Sequence, residues 1–416
     1  MNSEDIDIDG IERRLDDIFD IGATDESGAT RLAYSDEETT AIEYVREELP
    51  GAYDVRTDSI GNVYATREPD ADRTVFIGSH LDSVFNGGRL DGALGVTVAL
   101  EAIETAYDRG EPPVPPTLVI LRAEESSRFG QWALGSRGAL GRLTVEDFSA
   151  TDQSNIPLWQ AMQQQGFQPA NLSEPTIDLD RIAAFLELHI EQGRVLDDSG
   201  TDLGVVTSIR APVRHRVTVE GAYDHSGATP MGLRQDAIAG GADMVTTVEE
   251  LAVNAAGDGD LVATVGEFTP VDGAINKVCG RVSFPVDVRS NDIDFRDDFE
   301  RSMLDRLTAI ADERDLAVST ELVDRSDPVE LDDAVTSTLE TVAEDSGVSY
   351  QRLPSGGGHD AMNFQHSGVP TGMLFVPSVG GVSHNPDEST PREAIVTATE
   401  VFTRALLRGP RDADDG

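Results

Sequence analysis

Four of the seven histidines stand out by their surroundings, and the first, His80, lies in a run that could bind a metal ion. This run, GSHLDSVFNGGRLDGALG, also contains Asp82 and Asp91. Its glycines let the backbone approach a ligand closely. Imidazole and carboxylate suit divalent zinc, manganese, cobalt or nickel, and the two oxygens of a carboxylate can bridge two cations. We predict that Asp91 bridges two metals and that Asp82 orients the His80 ring from outside the ligand set.

Two adjacent glutamates, Glu124 and Glu125, follow the apolar segment Thr117–Leu121 in the run RAEESSRFG. Adjacent glutamates are common on solvated helices and carry little information there. At the end of a buried strand, however, one of them could bind a metal while the other transfers protons. The position of the pair therefore makes it a candidate for catalysis.

Two further histidines complete a ligand set of nitrogen and oxygen atoms. His189 in ELHIEQG and His384 in VPSVGGVSHNPDE each follow an apolar segment. With Asp91 as the bridge, we expect His80 and His189 to hold one ion, and Glu125 and His384 to hold the other. Other amidase chemistries have weak support, because a serine–lysine or thiol enzyme would need Lys277 or Cys279, and neither stands in a matching motif.

The segments around these residues predict an α/β fold. Apolar strands are predicted at Thr74–Gly78, Thr117–Leu121 and Ala184–Leu188, with a helix at Gly92–Tyr107. This alternation is typical of a mainly parallel sheet covered by helices. Functional groups in such sheets collect beyond the carboxyl ends of the strands, which is where the candidate ligands lie.

The pattern changes in the middle of the chain. Residues 212–327 predict a β-α-β-β-α-β order, typical of a ferredoxin-like domain inserted into the first. The first domain would then comprise residues 1–211 and 328–416. Its amino terminus predicts two helices, the second capped by Ser35. The inserted elements are expected at His215–Glu220, Leu233–Ala252, Leu261–Phe268, Arg281–Val288, Ile293–Arg314 and Ala317–Leu322, and the closing ones at Ala334–Ser346, Thr371–Val376 and Glu393–Leu407.

Composition argues against several classes of partner. Asp and Glu number 77 against 32 Lys and Arg, a net charge of −45 that disfavours nucleic acid and anionic membranes. Lys277 is the only lysine, and this acidic, arginine-based composition resembles proteins of high-salt cytoplasm. A single cysteine, Cys279, cannot form an internal disulfide. Because no signal-peptide pattern or membrane-length apolar run is seen, we expect a cytoplasmic protein.

At this point the sequence resembles the dinuclear-metal aminoacylase/carboxypeptidase superfamily, over roughly residues 10–408. Within it, the closest resemblance is to the amidase branch of N-carbamoyl-L-amino-acid hydrolases, β-ureidopropionases and allantoate amidohydrolases. The motifs that carry it, in order, are GSHLDSV, GGRLDGALGV, EESSRFG, ELHIEQG, AYDHSGATPMGLRQDA, SGGGHDA and VPSVGGVSHNPDE. A histidine at the third ligand position, here His189, is similar to the amidase branch rather than the peptidase branches.

The resemblance also implies roles for individual residues. Glu124 falls on the general base and Glu125 on the ligand position. The inserted domain would form a homodimer and act as a lid, with its histidine, His225, polarising the scissile carbonyl in the neighbouring subunit's site. The implied substrate-binding residues are Gln192, His225, Asn276, Arg289 and Gly358. Arg289 also makes independent chemical sense, because a guanidinium can bind an α-carboxylate through two hydrogen bonds.

The expected activity is therefore hydrolysis of the carbamoyl C–N bond of small N-carbamoyl-L-amino acids, with two divalent ions per subunit (Zn, Mn, Co or Ni). The products would be ammonia, carbon dioxide and the free amino acid. Allantoate amidohydrolase and β-ureidopropionase activities stay open, as does an aminoacylase or peptidase on the same fold. A metal-stabilised dimer that binds an amino-acid derivative without turnover would have no need for Glu124.

Overall fold

The computed structural model describes residues 5–168 and 173–410. The chain divides into a large unit, Met1–Thr207 with Glu330–Gly416, and an inserted unit, Ser208–Val329. In the described residues, no helix is long and apolar enough to cross a membrane.

The large unit begins with the predicted pair of helices. The side chain of Ser35 accepts the N–H of Glu38 and so caps the second helix, as the sequence predicts. The elements of this first stretch are α1 Ile8–Asp20, α2 Asp36–Glu48, β1 Asp54–Thr57, β2 Val63–Thr66, β3 Thr74–His80, α3 Ala93–Arg109, β4 Pro116–Leu121, α4 Leu134–Ala139, α5 Val145–Ser149, α6 Leu158–Gln164, β5 Ile182–Ile190, α7 Val195–Ser199 and β6 Leu203–Ile209.

The inserted segment contains two long helices and three long strands. Its elements are β7 Ala211–Glu220, β8 Asp224–His225, α8 Ala237–Ala255, β9 Val262–Thr264, β10 Thr269–Pro270, β11 Lys277–Val278, β12 Arg281–Ser290, α9 Ile293–Glu313 and β13 Ala317–Arg325. The chain then returns to the large unit with β14 Val329–Glu330, α10 Asp333–Asp345, β15 Tyr350–Ser355, α11 Asp360–His366, β16 Thr371–Val376 and α12 Arg392–Arg408.

The sheet of the large unit follows the order β1-β2-β4-β3-β5-β16-β6-β14, with β15 paired to β6. Its centre, β4-β3-β5-β16, is parallel, whereas β2 and β6 pair with it in the antiparallel sense. The mainly parallel α/β fold is thereby confirmed. His80 at the end of β3 lies opposite Leu121 of β4, and His189 of β5 lies opposite Phe375 of β16. The parallel register thus brings the candidate ligands to one edge of the sheet.

The inserted unit has the predicted β-α-β-β-α-β order, in an antiparallel sheet β10-β12-β7-β13 with β9 also paired to β12. Side chains along β12 alternate between buried and partly exposed, and the buried set packs against α8 and α9. The expected strand Leu261–Phe268 is shorter than predicted, because β9 ends at Thr264, before Gly266, and β10 begins only at Thr269. Glycine weakens a strand because it offers no side chain for packing.

The first inserted helix also begins later than predicted. We expected a start at Leu233, but α8 begins at Ala237. Asp236 caps it by accepting the N–H groups of Ile238 and Ala239. The preceding segment, Met231–Leu233, forms a short 3₁₀ turn instead. A strong capping residue therefore outweighs the apolar spacing in setting where the helix starts.

Candidate dinuclear metal centre

The first group of predicted ligands converges on one oxygen of Asp91. Nε2 of His189 lies 3.1 Å from Oδ1 of Asp91, and Nε2 of His80 lies 3.6 Å from the same atom. All three residues are buried, and their potential ligand atoms lie within 4.8 Å of one another. This is the spacing at which three side chains can share a metal ion.

The second group converges on the other oxygen of Asp91. Nε2 of His384 lies 3.4 Å from Oδ2 of Asp91 and 3.2 Å from Oε1 of Glu125. The potential ligand atoms of these three residues also lie within 4.8 Å of one another, close enough to share an ion. Since each oxygen of Asp91 faces a different group, the carboxylate lies where a bridge between two ions would lie.

The outer ring nitrogens of the two buried histidines have their own acceptors. Nδ1 of His80 lies 3.2 Å from the carbonyl oxygen of Asp82 and 3.3 Å from its carboxylate, and Nδ1 of His189 lies 3.1 Å from the carbonyl oxygen of Ile190. A proton on Nδ1 leaves Nε2 as the free lone pair. Nε2 of His80 is buried and has no hydrogen-bond partner among the described residues, which fits a metal ligand.

The glutamate pair is held through its backbone. The two oxygens of Asp82 accept the N–H groups of Glu124 and Glu125, each at 2.9 Å. Oε2 of Glu124 lies 3.9 Å from Nε2 of His80, whereas Glu125 is the partner of His384. The pair is thus divided, with one carboxylate beside each group of ligands.

The two residues before the pair are held in the same way. The side chain of Asn62 accepts the N–H of Arg122 at 3.0 Å, and that of Glu38 accepts the N–H of Ala123 at 2.9 Å. Ala123 has φ of +54°, a left-handed conformation that costs a non-glycine residue about 1–3 kcal/mol. Side-chain acceptors therefore stabilise a bent backbone immediately before the glutamates.

Gly92 explains why the loop that carries Asp91 is rich in glycine. Its φ is +66°, and a Cβ added there would lie 2.4 Å from Cε1 of His80. No side chain fits between the loop and the imidazole ring. The absence of a Cβ at residue 92 thus allows Asp91 and His80 to approach one another.

The carboxylates of the site stabilise positive charge on the histidines. Burial lowers the pKa of His80 and His189, but Asp82 and Asp91 act in the opposite direction and leave both above their usual range. Asp91 and the neighbouring glutamate raise the pKa of His384 to about 11. An environment that favours a proton on these nitrogens also favours a metal cation.

Glu124 has different electrostatics from Asp91. Burial raises the pKa of Glu124 well above its usual range, despite the opposing effect of His80. Burial also acts to raise the pKa of Asp91, but His189 and the other histidines outweigh it and hold the pKa well below the usual range. Burial thus makes the Glu124 carboxylate a stronger base than an exposed glutamate, whereas the histidines stabilise the negative charge of Asp91.

The predicted substrate residues of the large unit lie beside the ligands. Gln192, with φ of +60°, donates from Nε2 to Oδ2 of Asp91 at 2.8 Å. Its carbonyl end faces Gly357, where an added Cβ would lie 3.1 Å from Oε1. Gly358 follows, and a Cβ there would lie 3.1 Å from the ring of Trp132. Trp132 was not among the predicted residues.

The other predicted substrate residues lie in the inserted unit. His225 and Asn276 are exposed and adjacent, since β8 pairs with β11 and the carbonyl of Asn276 accepts the N–H of Ser226 at 3.0 Å. Arg289, on β12, donates from Nε at 3.0 Å and from Nη2 at 3.1 Å to the carboxylate of Asp287. This ion pair orients the guanidinium group that the sequence predicts for substrate binding.

The three remaining histidines have other surroundings. His359 is buried, with Nε2 at 2.9 Å from the hydroxyl of Ser355, and its ring lies against His189. His215 on β7 lies 2.5 Å from Glu300 through Nε2. His366 is the last residue of α11. None of these three belongs to either group of ligands.

Sequence reasoning missed the buried charges behind the ligands. Arg31 is fully buried and donates from Nε to the carbonyl oxygen of Leu81 at 2.9 Å. Burial lowers its pKa to about 10, against the charges of Asp82, Glu388 and Asp91. Only Glu388 could have been noticed, since it ends the motif that contains His384, and Arg31 stands in no motif.

A second buried layer contains Glu187, which accepts from the hydroxyl of Ser79 at 2.8 Å and from the N–H of Ala361 at 2.9 Å. Asp360 is also fully buried, and burial together with Glu187 raises its pKa to about 8. Glu187 thus connects α11 to the sheet beneath the candidate ligands.

Comparison with known proteins assigns the chain to a family. The profile of Peptidase family M20/M25/M40 matches residues 76–408. The chain belongs to this family. As an M20 member it is a hydrolase, and the family typically depends on two metal ions. The N/O donors around Asp91 and the unpartnered Nε2 of His80 fit such a pair of ions.

Two relatives within the M20 family match most of the chain. An N-carbamoyl-L-amino acid amidohydrolase of Geobacillus stearothermophilus is 36% identical over 94% of this chain and 95% of its own. An allantoate amidohydrolase of Escherichia coli K12 is 35% identical over 91% of this chain and 92% of its own. The crystal structure of a hydantoinase/carbamoylase-family amidase from Burkholderia multivorans matches with a TM-score of 0.88 and 32% identity, covering 97% of this chain and 98% of that one.

Proposed function

We propose that this M20 protein hydrolyses N-carbamoyl-L-amino acids to ammonia, carbon dioxide and the free amino acid. The observation that carries the proposal is the position of Asp91, whose two oxygens face two separate groups of ligands. Glu124 lies beside them as a buried carboxylate without a ligand role. The similarity to an N-carbamoyl-L-amino acid amidohydrolase supports the choice of substrate.

The metal ligands would be His80, Asp91 and His189 for one ion and Asp91, Glu125 and His384 for the other. Two divalent ions such as zinc, manganese, cobalt or nickel supply Lewis acidity, which lowers the pKa of water and stabilises negative charge on a carbonyl oxygen.

Glu124 transfers the proton. Its carboxylate accepts a proton from the attacking water and later delivers it to the amino-acid nitrogen as the C–N bond breaks. Burial suits Glu124 to this task, because it raises the pKa and lets the side chain hold the proton between the two steps. The other product, carbamic acid, then decomposes to ammonia and carbon dioxide.

His225 supplies a hydrogen bond to the ureido carbonyl. Its Nδ1 accepts the N–H groups of Gly227 at 3.0 Å and Ala228 at 3.1 Å. A ring nitrogen that accepts hydrogen bonds carries no proton, so the proton of the neutral ring lies on Nε2. The exposed Nε2–H is then oriented as a donor, which suits stabilisation of the developing oxyanion.

Arg289 binds the α-carboxylate of the substrate, assisted by Asn276. Asp287 orients the guanidinium, and Arg289 in turn helps keep the pKa of Asp287 low, against the effect of burial. On the large unit, Gln192 and the backbone of Gly358 contact the rest of the substrate.

The protein acts as a homodimer, in which His225 serves the partner's site. Two features of the inserted unit support self-association. Strand β13 forms an edge of its sheet and exposes Leu322 and Val323 by 51% and 57%. Ile275, next to Asn276, is fully exposed. Apolar side chains on an open edge are typical of a strand that pairs with another chain.

A substrate panel tests this proposal directly. Ammonia release would be measured with N-carbamoyl-L-amino acids, N-carbamoyl-β-alanine and allantoate, in high salt and with each of the four metals in turn. Amine release from N-acetyl amino acids and dipeptides completes the panel. We expect the highest kcat/KM with an N-carbamoyl-L-amino acid. Preference for allantoate would instead support the function of the Escherichia coli relative, and preference for a dipeptide would support a peptidase.

A further inference from the structure

Glu388 connects the two loops that carry Asp91 and His384. One carboxylate oxygen, Oε2, accepts the N–H groups of Leu90 at 3.1 Å and Asp91 at 3.3 Å. The other oxygen, Oε1, accepts the N–H of His384 at 2.8 Å. Glu388 is 8% exposed, so these contacts are shielded from solvent. One buried side chain thus holds the backbone of two ligands that are far apart in sequence.

His384 needs such support more than the other histidine ligands do. The side chains of His80 and His189 are 1% and 2% exposed, whereas that of His384 is 48% exposed. Packing therefore restrains the first two rings but not the third. The backbone of His384 is also in the left-handed region, with φ of +55°. The N–H bonded to Glu388 is the contact that keeps this strained residue in place.

Gly88 provides the space for the carboxylate. A Cβ at this position would lie 2.1 Å from Oε2 of Glu388 and 2.6 Å from the backbone carbonyl oxygen of Asn385, which follows His384. At Gly87, by contrast, the nearest atom to an added Cβ is a methyl carbon of Val84 at 3.1 Å. Neither glycine needs a positive φ, so an alanine is compatible with the backbone conformation at both positions. A methyl group at residue 88 therefore displaces Glu388 or the adjoining loop of His384, whereas one at residue 87 touches neither.

We propose that Glu388 is a positioning residue for the second ion of the proposed metal site, that of Asp91, Glu125 and His384. It acts through two of the three ligands of this ion but through only one ligand of the other ion. A glutamine cannot replace it, because its NH₂ group would face a backbone N–H in either orientation of the amide. Loss of the carboxylate should therefore weaken binding of the second ion more than binding of the first.

The test measures metal binding rather than turnover. The wild type and Glu388→Gln would be stripped with a chelator and titrated with Mn²⁺ against a competing metal indicator. We expect two ions per chain in the wild type, and in Glu388→Gln a second ion bound about 10–100-fold more weakly, with a much smaller change in the first. Electron paramagnetic resonance provides a second readout, since the coupled signal of an ion pair should give way to that of an isolated Mn²⁺.

Matched variants separate positioning from a general effect on the fold. Glu101→Gln is the control, because Glu101 is 6% exposed and accepts a backbone N–H from Asp7 at 2.8 Å but touches no ligand. Gly88→Ala should reproduce the loss of the second ion, whereas Gly87→Ala should not. If Glu388→Gln fails to fold, Glu388→Asp carries the test, because the shorter side chain keeps the charge but cannot reach both loops at once.

The proposal is overturned if Glu388→Gln and Gly88→Ala bind both ions as the wild type does, if both ions weaken equally, or if the controls show the same loss. Since no substrate is used, a wild type that binds two ions but releases no ammonia would contradict the proposed function and leave this inference standing.

Discussion

Asp82 accepts the backbone N–H of Glu124 with the same oxygen, Oδ1, that lies 3.3 Å from Nδ1 of His80. One oxygen atom therefore contacts both the backbone of the proposed general base and the ring of a proposed metal ligand. The other oxygen accepts the N–H of Glu125 at 2.9 Å. Asp82 thus contacts the backbone of both glutamates and the ring of His80.

We expect Asp82→Asn to lower metal affinity about 10–100-fold, because an amide offers one acceptor where the carboxylate offers two. The measurement is competition with a chelating indicator. Asp147→Asn is the control, since Asp147 is similarly buried and accepts the backbone N–H of Thr144 at 2.8 Å, away from the ligands. Unchanged affinity in Asp82→Asn would show that this carboxylate does not position the site.

We expect Glu124→Gln to keep its metal ions and its fold but to lose at least about 100-fold in kcat, the usual scale for removing a general base. Glu125→Gln should instead lose metal. Metal analysis and circular dichroism, run beside the activity assay, distinguish the two. If Glu124→Gln is the variant that loses metal, the two glutamates have the opposite roles.

The five proposed ligands were predictable because chain position and chemistry agree. His80 ends β3, Glu125 closely follows β4 and His189 lies near the end of β5, and parallel strands bring their carboxyl ends together. Glu388 and Glu38 were not predictable as supports, because a side-chain acceptor for a distant N–H leaves no periodic pattern in the sequence. The early end of β9 at Thr264 was not predictable either, because Val265 and Phe268 are apolar and pack against the core without belonging to a strand.

We expect Arg289→Lys to weaken the binding of carboxylate-bearing substrates far more than that of the corresponding amides. Lysine is a point charge and cannot form the paired hydrogen bonds of a guanidinium. KM values for an N-carbamoyl amino acid and its amide, in wild type and variant, provide the measurement. Equal losses for both would remove Arg289 from the carboxylate site.

We expect low salt to lower the unfolding temperature and the activity. The chain carries 77 acidic groups, and their repulsion reaches further as the Debye length grows from roughly 3 Å in 1 M salt to 30 Å in 0.01 M. Thermal unfolding across a KCl series tests this, with sorbitol at matched osmolarity as the uncharged control. Full activity after long dialysis into dilute buffer would contradict adaptation to a high-salt cytoplasm.

We expect two inactive variants, His225→Ala and Glu124→Gln, to regain activity when their subunits are mixed. If His225 serves the partner's site, a mixed dimer has one site with both residues and one with neither. Random assortment makes about half the dimers mixed, so recovery should approach about a quarter of wild-type activity. Native mass spectrometry would verify that the subunits exchange. If they do and no activity returns, His225 does not serve the partner's site.

The single lysine provides one site on the inserted unit for amine-specific labelling. Lys277 is exposed, its ammonium group lies 4.6 Å from the ring centroid of Tyr223, and its strand pairs it directly with His225. An amine-reactive fluorophore has only this side chain and the terminal amine to modify. Blocking the terminal amine first would leave one dye per chain, next to the histidine proposed to contact substrate. A composition with a single lysine thus allows one dye to be attached beside the proposed substrate-binding histidine without any engineered cysteine.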